Sequence, residues 1–221
     1  MPLTKDQVVG LLRAHPFFSS MDAAVLGAVA ARTSVRGFER GEVILLEANP
    51  AGPWCLVVRG RVKLTRSSAD GRELVLAFVG PGRGFNEVPA LDGGPNPATA
   101  EAMTRAELIL MPANEFRQAV RGHPSVAWAV LAAFAGRLRQ MTGLVEDLAL
   151  RSVTERLAKL LLQQAELVGE MTQQEMAAAL GTVREVAARS LHGLVQAGLI
   201  RMERHRILIV DREGLSRLAK I

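Results

Sequence analysis

Residues 172–194, TQQEMAAALGTVREVAARSLHGL, constrain the fold more than any other stretch, because the start, stop and restart signals of two helices all fall within it. Thr172 with Glu175 three residues on makes a capping box, each side chain satisfying a backbone donor left free at the helix start. Met176, Ala179 and Leu180 then form an apolar face at helical spacing. Gly181 is the expected turn, since a residue without Cβ enters the left-handed region that a tight helix exit needs. Thr182 is the expected N-cap of the second helix.

On that second helix Val183, Ala187, Ser190, Leu191 and Leu194 share one side of the wheel, and Arg184, Glu185, Ala188, Arg189 and His192 share the other. Arginine can bond both major-groove acceptors of guanine, and glutamate can accept from the amine of cytosine, so Arg184, Glu185 and Arg189 suit base edges. Thr172, Gln174, Thr182 and Val183, at the two helix starts, complete the candidate DNA-contacting set. The competing reading is a solvated face on an ordinary helical hairpin. The segment after the helical pair favours DNA: Leu199-Ile200 and Ile207-Leu208-Ile209-Val210 flank Glu203-Arg204-His205-Arg206, which reads as a β-hairpin wing. Arg204 and Arg206 at its tip suit phosphate, adding affinity without sequence information.

The 221 residues leave room for more than one domain, and 49% hydrophobic content fills their cores. The formal charge of +5 gives weak support for a polyanionic partner. No apolar run is long enough to cross a bilayer and the first residues lack the pattern of a signal peptide, so the expected location is cytoplasmic, with no membrane partner. Cys55 is the one cysteine, which excludes an intramolecular disulfide, and its apolar surroundings suggest a buried, inert thiol.

Ahead of the helical pair, helices are expected over 4–14 and 22–33. The period then changes: residues 42–46, 54–58, 62–66, 73–79, 98–102 and 106–111 are short β-rich segments separated by glycine turns and a glycine-proline-rich stretch over 80–97, which suggests a small barrel or roll. From 125 to 148 the pattern becomes a long helix. Ala127, Leu131, Phe134, Leu138, Met141, Val145 and Leu148 step alternately by four and three, the seam of two packed helices, and point to a homodimer. Two-fold pairing would set two recognition helices about 34 Å apart, one turn of DNA.

This order of parts, with Arg40-Gly41-Glu42, Val58-Arg59-Gly60-Arg61-Val62, Asp70-Gly71-Arg72-Glu73, Leu91-Asp92-Gly93-Gly94 and Thr172-Gln173-Gln174-Glu175 before Gly181 and Arg184-Glu185, resembles the Crp/Fnr family of bacterial transcription regulators over nearly the whole chain. The resemblance implies an α+β chain. A β-roll of the cyclic-nucleotide-binding type, a double-stranded β-helix, would occupy 1–122, a dimerisation helix 123–150 and a winged helix-turn-helix 151–221. It further implies that Arg184, Glu185 and Arg189 read half-sites of a palindromic duplex, and that the protein contacts RNA polymerase. Val183 stands where cyclic-AMP-responsive members often carry a small polar residue.

The ligand cassette departs from the family pattern. Phe85, Asn86, Glu87 and Val88 correspond to the segment that carries the ribose-binding glutamate, and Glu87 is kept. In the segment Asn96, Pro97, Ala98 and Thr99, however, Asn96 takes the place of the phosphate-binding arginine and Pro97 that of the hydroxyl residue. A buried phosphate without its arginine loses a contact worth about 2–4 kcal/mol and faces Glu87 uncompensated, so cyclic AMP is expected to bind weakly or not at all. Met141 and Thr142 stand near the family's adenine contacts. Some relatives bind haem, and His15 and His123 could each ligate iron, although a lone histidine at a helix boundary is more often a cap. A different organic effector, or none, is an equal reading.

Two other classes compete. Gly80-Pro81-Gly82-Arg83-Gly84 matches neither the P-loop nor the dinucleotide fingerprint, and no nucleophile, base and orienting acid recur as a set, so an enzyme is not expected. No cluster has metal-ligand spacing. The other alternative is a sensor that signals by protein contact without reading DNA.

Overall fold

The computed structural model describes residues 3–203 and 206–220. It falls into two compact units, one made of residues 1–66 and 76–139 and the other of residues 67–75 and 140–221.

In the first unit, α1 (Lys5–Ala14) starts at a capping box between Thr4 and Gln7, and α2 (Ala23–Ala30) ends three residues earlier than its pattern suggests, where the Thr33 hydroxyl donates to the Ala30 carbonyl. The strands come next: β1 (Ser34–Phe38), β2 (Val43–Leu45), β3 (Trp54–Arg59), β4 (Val62–Ser67), β5 (Glu73–Val79) and β6 (Gly84–Phe85). After α3 (Glu87–Asp92) come β7 (Thr99–Ala102) and β8 (Ala106–Met111). They form two four-stranded sheets, in the orders β1-β8-β3-β6 and β2-β7-β4-β5. All six expected strands are present. The sequence pattern missed β1, whose Gly37 weakens its β signal although five residues pair with β8. It also missed β6 and α3, which lie inside the stretch read as turn.

Phe38, Val57, Val62, Phe85 and Leu108 belong to one core of the roll. A second core gathers Trp54, Phe17, Phe18 and Phe116, with Trp54 and Phe116 stacked at 5.6 Å and 2°. Phe116 comes from α4 (Ala113–Gly122), another helix absent from the sequence reading. Cys55 is fully buried, as expected, and burial, with Glu87 nearby, pushes its thiol well above the usual range.

The long helix α5 (Pro124–Leu150) matches the expected one and opens on proline, whose missing N–H costs nothing at a first helical position. Of the seven positions expected on the seam, Leu131, Leu138, Val145 and Leu148 are exposed at 59%, 70%, 66% and 36%, whereas Phe134 is half-buried against the aromatic core and Ala127 and Met141 are also half-buried. Trp128, 73% exposed, with Ala135 and Thr142, extends the outward face, and the half-buried positions are those where α5 spends apolar surface inside the chain.

The second unit is built on α6 (Val153–Glu170), started by a capping box between Ser152 and Glu155 and kinked at Gln164. Against it pack α7 (Gln173–Leu180), α8 (Arg184–Gln196), the hairpin β9 (Ile200–Glu203) and β10 (Arg206–Ile209), and α9 (Arg212–Ala219). Their core includes Leu157, Leu161, Leu180, Leu191, Leu194 and Leu215. No helix among the described residues is long and apolar enough to cross a membrane.

Candidate functional site

The helical pair forms as its sequence dictates, with local corrections. Thr172 accepts from Glu175 N–H at 3.1 Å and Glu175 accepts from Thr172 N–H at 2.7 Å, the expected capping box. The buried side of α7 is Met176, Ala177, Ala178 and Leu180, whereas Ala179 is only half-buried. Gly181 sits at φ 62°, and a Cβ there would lie 2.7 Å from Leu148. Thr182 is not the N-cap. Its N–H still bonds back to the Ala177 carbonyl, closing the exit of α7, so the extended residue before α8 is Val183, which offers no side-chain cap.

Ala187, Ser190, Leu191 and Leu194 are the buried side of α8, but Val183 is 45% exposed because it lies outside the helix. An exposed isopropyl group at this point suits a thymine methyl. Arg184, Glu185, Arg189 and His192 are exposed and Ala188 is half-buried, so one outward face carries the expected readers. Gln174 is exposed at the start of α7, and so is its neighbour Gln173, whose Oε1 accepts from Arg184 Nε at 2.9 Å. Sequence reasoning missed Gln173. Its clue was a third polar residue between the capping threonine and Gln174.

The wing forms as expected from β9 and β10, with Arg206 opposite Glu203. Arg204 and His205 lie outside the described residues, and of Arg206 only the backbone is described. Another residue absent from the sequence reading fixes the base of this region. Arg156 donates to the carbonyls of Arg151 at 2.7 Å and Leu180 at 2.9 Å, tying the end of α5 to the exit of α7. Asp147 pairs with Arg151 and Lys159 beside it.

In the first unit the ligand cassette is an internal knot. Asn96, 3% exposed, donates from Nδ2 to the Leu46 carbonyl at 3.1 Å, while its Oδ1 accepts from Gly52 N–H at 3.0 Å and from Asn86 Nδ2 at 3.3 Å. Asn86 caps α3 in the left-handed region, at φ 69°, and also donates to the Pro53 carbonyl at 3.0 Å. A Cβ on Gly52 would meet Leu45 at 2.6 Å and both asparagines at 3.2–3.3 Å, so the loop closes this tightly because residue 52 is glycine. Thr99 accepts from Glu47 N–H at 3.1 Å, holding the start of the same loop.

Glu87 is buried, and a countercharge lies beside it. Arg137, on α5, lies 3.6 Å from its carboxylate. Phe85 is part of the roll core, Ala98 is half-buried, and Val88 and Pro97 are exposed. Met141 and Thr142 belong to the second unit, Met141 half-buried and Thr142 exposed. Asn96, the residue expected to replace the phosphate-binding arginine, is a neutral amide whose hydrogen bonds go to the chain's own backbone and to Asn86. That donor set does not fit a cyclic phosphate.

His15 is 6% exposed, with its ring edge-on to Phe17 at 4.6 Å and to Trp54 at 5.1 Å. Its Nδ1 accepts from Phe17 N–H at 3.3 Å, and burial, with Arg83 adding to it, lowers its pKa from 6.5 to about 4. His123 is half-buried with Nδ1 3.1 Å from the Ala119 carbonyl, and His192 takes an amide hydrogen from Gln196 at 3.0 Å.

Two family models match the chain, a cyclic nucleotide-binding domain over residues 35–123 and a Crp-like helix-turn-helix domain over residues 155–218. The chain is similar to the transcriptional regulator SdrP of Thermus thermophilus, 31% identical over 83% of this chain and 93% of that protein. It is also similar to the CRP-like cAMP-activated global transcriptional regulator of Mycobacterium tuberculosis, 29% identical over 92% of this chain and 96% of that protein. A solved CRP/FNR-family transcriptional regulator from Thermus thermophilus superposes with a TM-score of 0.72 at 28% identity, covering 85% of this chain and 99% of its own.

Proposed function

Since this chain belongs to the Crp/Fnr family of bacterial transcription regulators, we propose that it binds palindromic duplex DNA as a homodimer and regulates transcription through RNA polymerase without cyclic AMP. The observation that carries the reading is α8: one side is packed into the core, and the other presents Arg184, Glu185 and Arg189 to solvent. Those side chains match base edges, and the wing beside them supplies a backbone contact. Val183 adds an apolar contact where cyclic-AMP-responsive members often carry a small polar residue. The exposed stripe of Trp128, Leu131, Leu138 and Val145 on α5 supplies the two-fold contact, and the protein works in the cytoplasm.

Independence of cyclic AMP rests on the Asn96 knot. An anionic phosphate would have to displace three internal hydrogen bonds, and Arg137 beside the cassette is already paired with Glu87. Haem on His15 is not part of this reading, because the ring is enclosed by Phe17, Phe18 and Trp54 and its Nδ1 is committed to Phe17. The test is the affinity of the purified protein, with nothing added and at fixed physiological salt, for a selected palindrome and for a scrambled duplex of equal length. The expected ratio is above about a thousandfold and unchanged by cyclic AMP. A ratio near one overturns the reading, and a ratio that rises only with cyclic AMP overturns its effector-independent part.

A further inference from the structure

We propose that Gln173 is a specificity-determining residue that holds Arg184 end-on toward a guanine in each half-site, an inference that rests on the DNA-reading role of α8. Gln173 is the first residue of α7 and Arg184 the first of α8, so the two helix starts bring them side by side on the outward surface. The bond runs from Arg184 Nε to Gln173 Oε1 at 2.9 Å, and among the described residues it is the one side-chain partner Arg184 has. Both residues are exposed. The bond therefore contributes little to the core, and its consequence is the direction in which the arginine points.

A guanidinium has five N–H donors in a rigid fork. With Nε–H turned back onto Gln173, the donors left to face outward are those of Nη1 and Nη2, whose spacing matches O6 and N7 of guanine. An arginine free to rotate could equally spend those donors on a phosphate, which carries no sequence information. Glutamine also suits the place electrically. It is neutral, so it orients the arginine without cancelling the charge that attracts DNA. A glutamate at 173 would hold the arginine at least as firmly but would repel phosphate.

The experiment starts by selecting a preferred duplex from a random pool with the wild-type protein, then measuring binding for Gln173→Met, Gln173→Glu, Arg184→Ala and the Gln173→Met/Arg184→Ala double variant. Each is titrated on the selected site, on sites with every base substitution at the guanine that Arg184→Ala stops preferring, and on scrambled DNA across a salt series. Gln173→Met keeps the length of the side chain and removes the acceptor. It is expected to reduce the preference for that guanine about tenfold, leaving affinity for scrambled DNA and the salt slope unchanged. Gln173→Glu is expected to keep the preference while weakening binding to every sequence. The double variant is expected to discriminate no worse than Arg184→Ala alone.

The inference is overturned if Gln173→Met keeps the guanine preference while Arg184→Ala erases it. It is equally overturned if Gln173→Met weakens all sequences alike with a shallower salt slope, which marks a phosphate contact, or if its effect persists without Arg184. A selection that enriches no sequence is a different failure, since it removes the DNA-reading role itself.

Discussion

The ligand cassette and the recognition helix are both rich in polar side chains, and they spend them in opposite ways. In the cassette, Asn86 and Asn96 turn inward and satisfy one another and the loop backbone, so little is left for a ligand. On α8, Arg184, Glu185 and Arg189 are exposed, and Arg184 commits its Nε donor to Gln173. Residue type alone does not separate a surface that reads from a scaffold that holds. What separates them is where each donor and acceptor is already committed.

The largest expected effect breaks the outward side of this contrast. Replacing Arg184 and Arg189 together by alanine should weaken the specific complex by about 1–3 kcal/mol per arginine. Because both are exposed, the melting temperature should stay within a degree or two of wild type, and a large drop in melting temperature would reassign them to structure.

A slightly smaller effect probes the inward side through pH. His15 titrates near 6.5 when unfolded and near 4 in the fold, so the native state binds no proton between these values while the unfolded chain does. Its contribution is complete above pH 6.5, declines as the pH falls toward 4 and levels off below, a span of about 3 kcal/mol. His15→Asn keeps an acceptor for Phe17 N–H and does not titrate. Urea unfolding at stepped pH should therefore show the wild type losing about that much more stability than the variant over the window, and parallel curves would refute the assignment.

The cassette itself comes next. Asn96→Ala strands the Leu46 carbonyl, Gly52 N–H and Asn86 amide, and should destabilise the first unit by about 1–3 kcal/mol without changing discrimination between DNA sequences. Improved binding of cyclic AMP in that variant would show that the knot had been occluding a usable site. The smallest change sits where the two kinds of region meet. Thr172→Ala removes the cap of α7 and should cost about 1 kcal/mol in chemical unfolding, while base preference on the selected site is kept.

Much of this was legible in local sequence because its causes are local. The capping box at Thr172, the glycine exit and the outward arginines all act within a few residues. The missed helices α4, α6 and α9 carry strong patterns of their own, but α4 and α6 connect regions already assigned and α9 follows the wing, so none drew a separate reading. The cassette was legible as a chemical departure, asparagine for arginine, but not as a knot. Asn96 and its Leu46 partner are fifty residues apart and Asn96 and Gly52 forty-four, and no periodicity encodes a pairing at that range. The same distance hid Arg137 as the countercharge of Glu87. On α5 the half-burial of Ala127, Phe134 and Met141 was not legible, because heptad spacing does not say how much of a helix its own chain covers.

The burial of Cys55 has a practical consequence. A thiol with no access to solvent, held protonated by its surroundings, stays silent toward maleimides and mild oxidants, so the chain offers a blank background for chemical labelling. One cysteine introduced at an exposed position of α8, such as Gln196→Cys, would carry a single spin label per chain. In a two-fold assembly the two labels become a ruler laid across the pair of recognition helices, and the distance between them reports whether their spacing matches a turn of DNA before any DNA is added.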